Sequence, residues 1–234
     1  MSSLWLTEPA SAQPPESCSD AWGRTNVEAT NSTQMGNHQG VKSQMWVGFG
    51  SNDCSHVSSL TVITPQSGIV EWGWAVGYLW GPPLGPCPST TYHTAPVKFL
   101  FYQAAAGGAP HCTLWGGADA GAYRYFSVAD ANGDTVWQFN YNGSGIGTIN
   151  LDFSRGTLRT NSERHDDSDT AFADFDSLKF QVAGQSTWYD FSSLKQYADT
   201  DPKAGFGASD FNCVKSSNTH HLVETSPRTC PLLP

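Results

Sequence analysis

The chain has 234 residues, of which 14% are charged and 38% are hydrophobic, and its formal net charge is −9. Its nine Trp, eight Tyr and twelve Phe exclude a disordered chain, and its 23 Gly and 14 Pro exclude a helical bundle. The negative charge excludes nucleic-acid binding, because that binding draws its affinity from Lys and Arg contacts to phosphates.

The first 20 residues are predicted to form a tail, because Pro9, Pro14 and Pro15 interrupt a segment with no hydrophobic period. The segment lacks a basic region ahead of its apolar residues, so we expect no complete signal peptide. No apolar run reaches the roughly 18 residues that cross a bilayer, and we expect no membrane partner. Residues 21–234 are predicted to form one domain.

Short segments rich in β-branched and aromatic residues recur about every ten residues and are bounded by Gly, Pro, Asn or Asp. This pattern predicts an all-β fold, a double-sheet antiparallel sandwich of the jelly-roll or concanavalin-like type. The predicted strands are 44–49, 59–63, 69–78, 97–102, 112–116, 123–130, 134–141, 147–153, 157–165, 171–175 and 177–183.

Asn132-Gly133 lies between two of these strands and predicts a two-residue hairpin, since both positions tolerate positive φ. Asp130, Asn132 and Asp134 also have the spacing of a calcium loop. Position twelve of that loop holds Tyr141 in place of the required Glu, so we expect no metal site.

The C-terminal part carries weaker signals. Residues 191–198 are predicted to form a short helix capped by Ser192 or Ser193, and the last thirty residues are predicted to be coil. His220-His221 falls in this coil, and we expect the pair to be incidental.

Six cysteines are scattered along the chain without a C-x-x-C pair, which favours disulfides in an oxidising compartment over a zinc or redox centre. Of the fifteen possible pairing schemes, we expect Cys87–Cys112 around one strand pair and Cys213–Cys230 in a short loop. Elimination then leaves Cys18–Cys54. The predicted location is extracellular.

The strand at 69–78 has two unlike faces, because successive side chains of a strand point in opposite directions. Bulky residues, Trp72 and Trp74 among them, form a face suited to the core. Glu71 lies on the other face, among the small residues Gly73 and Ala75. A carboxylate among small residues suits the floor of a groove that a ligand backbone approaches. The alternative is an exposed sheet face that carries one charge.

A second glutamate, Glu163, lies on a strand where Asn161, Glu163 and His165 share one face. This run is unusually polar for a segment that precedes the apolar residues 171–175. Polar groups on a central strand must find partners or line a wet cavity. The alternative is an edge strand with solvated faces.

Three segments resemble the glutamic peptidases, which comprise the fungal eqolisins and the plant neprosin-type enzymes. Residues 43–50 with Cys54 are similar to the Trp-Val-Gly strand of eqolisins and to Ser-Gln-Ile-Trp-Val of neprosin-type proteins. Residues 69–74 resemble the neprosin-type strand with a Glu before Gly-Trp. Glu163 followed by residues 171–180 resembles the eqolisin Glu and its Ala-Asp-Phe strand. The sequence of residues 160–165 also resembles that of small secreted actinobacterial proteins of unassigned function.

This resemblance implies a concave groove and acid endopeptidase activity without a cofactor. It implies catalytic roles for Glu71 and Glu163, which would share a proton and activate water, and we expect Trp46, Gly73, Asn161 and His165 to bind substrate. The chain departs from the eqolisins in two places: Glu71 stands where they have Gln, and Arg164 where they have an aromatic residue.

The alternative function is that of a non-catalytic sandwich that binds a glycan or a protein partner in the same groove, because jelly rolls also serve as lectins. The expected partners are therefore a polypeptide substrate or a glycan or protein ligand. The oligomeric state is not predicted.

Overall fold

The computed structural model describes residues 25–31, 34–48, 55–79, 87, 92–164, 172–192, 194–200, 213–217 and 219–224. These residues form fifteen β-strands and no helix. The strands are β1 Thr25–Asn31, β2 His38–Val47, β3 Ser55–Ile63, β4 Ile69–Tyr78, β5 Tyr92–Gln103, β6 His111–Gly117, β7 Ala122–Ala129, β8 Val136–Tyr141, β9 Ser144–Asn150, β10 Thr157–Arg164, β11 Phe172–Val182, β12 Trp188–Asp190, β13 Leu194–Thr200, β14 Cys213–Ser217 and β15 His220–Glu224.

The strands form two antiparallel sheets. One sheet has seven strands in the order β13-β1-β10-β3-β4-β5-β6, and the other has eight in the order β14-β15-β11-β2-β7-β8-β9, with β12 paired to β11. Neighbours in each sheet run antiparallel, often between segments far apart in sequence. The predicted all-β double-sheet sandwich of jelly-roll type is confirmed.

The core lies between the two sheets and contains one face of β4. Val70, Trp72, Trp74 and Val76 are buried there, as the alternation along this strand predicts. The ring of Trp72 lies 5.8 Å from those of two phenylalanines on the eight-stranded sheet, and its indole N–H donates to a backbone carbonyl there at 3.0 Å. The opposite face of β4, which carries Glu71, therefore points away from the core.

One predicted turn and one predicted strand break differ from the structure. The two-residue hairpin at Asn132-Gly133 is wrong: β7 ends at Ala129 and β8 begins at Val136. The buried carboxylate of Asp130 closes the longer loop by accepting from the backbone N–H groups of 133, 134 and 135. The predicted break between 175 and 177 is also wrong, since β11 continues through a bulge with Ser177 at φ 55°.

The predictions for the C-terminal part are wrong as well. The helix predicted over 191–198 is replaced by β13, which pairs with β1 near the other end of the chain. The predicted coil contains β14 and β15, a hairpin that extends the eight-stranded sheet by pairing with β11. In both places, hydrogen bonding to a distant strand outweighs weak local preference.

The predicted disulfide Cys87–Cys112 is confirmed. The other two predicted pairings involve Cys18, Cys54 and Cys230, which lie outside the described residues, as does the predicted tail 1–20. Within the described ranges, no helix is long and apolar enough to cross a membrane.

The neighbouring histidines of β15 point to opposite sides of the eight-stranded sheet. His221 is fully buried, stacks on Phe175 and lies 2.8 Å from the hydroxyl of Thr160 on the other sheet. Burial, together with the nearby His220, lowers the pKa of His221 to about 3. His220 lies 2.5 Å from the carboxylate of Asp174, which raises its pKa. Burial therefore favours the neutral form of His221, whereas Asp174 favours the charged form of His220.

We predict that His221 destabilises the fold at acidic pH. The unfolded chain takes up a proton on this imidazole below about pH 6.5, whereas the folded chain takes it up only near pH 3. Between pH 7 and pH 4.5 this difference lowers the free energy of unfolding by about 2 kcal/mol. Urea unfolding of His221→Phe at both pH values should show a smaller drop than the unchanged protein.

The matched control is His220→Gln. The raised pKa of His220 stabilises the fold at acidic pH and loses this effect as the pH rises, so its removal should enlarge the drop. Equal drops in the unchanged protein and in His221→Phe would contradict the assignment.

Candidate active site

Three adjacent strands, β10, β3 and β4, place the polar residues on the outer face of the seven-stranded sheet. Residues opposite each other in an antiparallel pair share a face, and so do alternate residues along a strand. The register gives three rows across the strands: Arg159–Thr61–Glu71, Asn161–Ser59–Gly73 and Glu163–Val57–Ala75.

Glu71 and Glu163 occupy opposite corners of this array. They are two strands and four residues of register apart, roughly 16 Å between Cα atoms at ideal sheet spacing. Both side chains nevertheless reach the amide of Asn161: its Nδ2 lies 3.5 Å from Oε1 of Glu71 and 3.5 Å from Oε2 of Glu163. Those two oxygens are therefore at most about 7 Å apart, and the structure brings the predicted pair together.

Ser59 lies at the centre of the array and donates its hydroxyl proton to Oε1 of Glu71. Ser59 is fully buried, and Asn161 and Glu163 are only 7% and 8% exposed, whereas Glu71 is half-buried. The site is therefore a sheltered pair of carboxylates with two neutral hydrogen-bond donors between them.

The array has an apolar border on the side of β5. Phe101 of β5 is directly opposite Glu71, and Phe99 is opposite Gly73. These rings belong to a small apolar cluster on this outer face, which also contains Cys87 and Cys112. The disulfide thus anchors the apolar border of the site. No group of three or more His, Cys, Asp or Glu among the described residues is placed to hold a metal ion.

Gly73 has a structural role that is independent of any ligand. A Cβ at this position would lie 2.1 Å from the carbonyl oxygen of Ser58 and 2.6 Å from the Cα of Ser59. Both atoms belong to the backbone of β3, so a side chain at 73 would push the two strands apart. Glycine at this position allows Ser59 to stay within reach of Glu71.

Of the remaining predicted site residues, Trp46 does not join this array. Trp46 alternates with the core residues Met45 and Val47 on β2, so it points outward from the eight-stranded sheet, where its ring lies 5.3 Å from that of Tyr123. It is therefore on the opposite surface from the glutamates. His165 and the side chain of Arg164 lie outside the described residues.

Sequence reasoning missed Ser59. The run Ser55–Ile63 contains several small polar residues, and none of them is distinctive alone. The sequence does show that the polar residues Ser59 and Thr61 alternate with the apolar residues Leu60 and Val62. The structure adds that all four residues are buried. Only the register with β4 shows that Ser59 faces Glu71.

Solved structures similar to this chain include two glutamic peptidases. Scytalido-glutamic peptidase, crystallised with a peptide-based transition-state analogue, has a TM-score of 0.57 at 9% identity, covering 86% of this chain and 97% of that one. SCP-B of the eqolisin family, in complex with the tripeptide Ala-Ile-His, has a TM-score of 0.55 at 10% identity, covering 86% and 96%. At these identities the likeness shows the fold alone. No protein-family model matches the sequence, and no curated protein matches it.

We predict that Gly73→Ala destabilises the protein by about 1–3 kcal/mol, because the added methyl group would overlap with the backbone of β3. Urea unfolding measures this loss. Gly145→Ala on β9 is the matched control, since the nearest atom to its added Cβ is 3.7 Å away. Equal stability of the two variants would contradict the described packing of β3 against β4.

Proposed function

We propose that the protein is a glutamic-type endopeptidase in which Glu71 and Glu163 hydrolyse peptide bonds at acidic pH. The observation that carries this proposal is the approach of both carboxylates to one amide, Nδ2 of Asn161, on a sheltered outer face of the sheet. The two carboxylate oxygens that contact this amide are at most about 7 Å apart, close enough for both acids to act on one water molecule, as in hydrolases that use two acids.

The two carboxylates have different surroundings, which suits two different roles. Glu71 accepts a hydrogen bond from the hydroxyl of Ser59 and is the base, since a hydrogen bond donated to a carboxylate favours its ionised form. Glu163 is the more deeply buried and is the acid, because burial favours the neutral form of a carboxyl group.

The reaction proceeds in two steps. A water molecule gives a proton to Glu71 as its oxygen bonds to the peptide carbonyl carbon, while Glu163 gives its proton to the carbonyl oxygen. The C–N bond then breaks: the proton on Glu71 passes to the leaving nitrogen, and the hydroxyl of the intermediate returns a proton to Glu163. Both carboxyl groups regain their starting states, and the chemistry needs no metal or cofactor.

The fold supports this proposal. The scytalido-glutamic peptidase and SCP-B structures contain a peptide-based transition-state analogue and a tripeptide, respectively. A peptide substrate for the present chain is consistent with those ligands.

We also propose that the protein is extracellular, since a disulfide such as Cys87–Cys112 persists in oxidising compartments, and that residues 21–234 act as one domain.

We predict that the protein cleaves denatured casein between pH 3 and pH 7, and that Glu71→Gln and Glu163→Gln each lower kcat/KM by about 100-fold or more, because each removes one proton-transfer group. Asp190→Asn is the matched control. Asp190 is an exposed carboxylate paired with Lys179 on the other sheet, so this variant should keep full activity.

Two results would contradict the proposal. One is the absence of cleavage across this pH range and a peptide library, and the other is equal cleavage by Glu163→Gln and the unchanged protein. Binding of a glycan or a protein partner without hydrolysis would then favour the alternative of a non-catalytic sandwich.

A further inference from the structure

Asn161 makes an unusual set of contacts for a residue on the outer face of a sheet. Its amide nitrogen is 3.5 Å from both carboxylates, while its carbonyl oxygen Oδ1 is buried without a hydrogen-bond partner. A buried acceptor without a partner costs about 1–3 kcal/mol. Favourable contacts of the same side chain must therefore offset that cost.

The two carboxylates explain the orientation of the amide. Rotating the amide by half a turn would exchange Nδ2 and Oδ1, and would place an oxygen lone pair against the two carboxylate oxygens. At the ionised Glu71 that arrangement replaces an attractive contact with a repulsive one, and hydrogen bonds to charged groups are worth about twice those between neutral groups. The orphaned oxygen is thus a consequence of turning both N–H bonds toward the glutamates.

The backbone holds Asn161 in this place. Asn161 lies on β10 between β1 and β3, opposite Glu28 and Ser59, and is two residues from Glu163 on the same face. Its backbone position is therefore set by strands on both sides, and the residue is buried. Its amide nitrogen contacts both carboxylates, so the side chain is well placed to fix the position of each.

We propose that Asn161 is the positioning residue of the carboxylate pair: it holds Glu71 and Glu163 apart at a fixed spacing and supplies a neutral donor to both. This inference rests on the proposed function, and it replaces the substrate-binding role expected from the sequence. Without the amide, the two acids lose their common partner, and each turns to other contacts or to water.

The test uses Asn161→Asp, which keeps the shape of the side chain and replaces the amide with a third acid, and Asn161→Leu, which keeps a similar volume without polar atoms. Asn150→Asp makes the same charge change at an exposed asparagine of the other sheet and is the matched control. Thermal unfolding and far-UV circular dichroism confirm that each variant is folded. The chain has six glutamates, so ¹³C-labelled carboxyl signals can be assigned with Glu71→Gln and Glu163→Gln.

We expect Asn161→Asp to move the titration midpoints of the Glu71 and Glu163 carboxyl carbons upward by about one pH unit, because a nearby like charge disfavours ionisation. For a peptide substrate we expect both Asn161 variants to lower kcat by about 100-fold, with KM nearly unchanged, since misplaced catalytic groups act on the chemical step. Asn150→Asp should change neither quantity.

Unchanged titration midpoints in folded Asn161→Asp would overturn the inference, and so would a rise in KM at constant kcat, which is the result expected for a substrate-binding residue. If the unchanged protein cleaves no peptide, the proposed function fails, and the titration midpoints alone then decide whether Asn161 couples the two carboxylates. A midpoint shift in the inactive protein would still support the positioning role.

Discussion

The alternation of side chains along β3, β4 and β10 governs the rest of the structure. On β4 it turns two tryptophans into the core and Glu71 out of it, and on β10 it turns Asn161 and Glu163 to the same outer face. Because the three strands are hydrogen-bonded neighbours, the register couples the side-chain orientations of one strand to those of the next. A slip of one residue on β4 or β10 would turn a carboxylate toward the core and a large apolar side chain out of it.

The site and the core also connect through buried polar contacts between the sheets. Thr160, next to Asn161 on β10, points inward to His221 of the eight-stranded sheet. The strand that carries half of the candidate site is thus tied to the C-terminal hairpin by a histidine that stays neutral to about pH 3. The His220–Asp174 pair on the other side of the hairpin offsets part of the stability lost at acidic pH, because the carboxylate raises the pKa of His220.

Local patterns in the sequence predicted β4 and its two faces, since bulky and small residues alternate clearly there, whereas the pairing of Glu71 with Glu163 came from the family resemblance. They did not predict β13 or the β14–β15 hairpin, because these strands are stabilised by β1 and β11, which are distant in sequence. The contact of Ser59 with Glu71 and the contacts of the two histidines were missed for a related reason. Their partners are known only once the cross-strand register and the burial of each side chain are known. Trp46 was predicted to bind substrate because residues 43–50 resemble a family motif. That resemblance did not indicate which sheet face this side chain occupies.

The most direct test of a cooperating carboxylate pair is a double-mutant cycle of Glu71→Gln, Glu163→Gln and the combined variant, measured as kcat/KM on one peptide at the pH optimum. Groups that act as one unit give losses that do not add. We predict that the combined variant loses little more activity than either single variant. Losses that multiply, as for two independent sites, would contradict a shared role in catalysis.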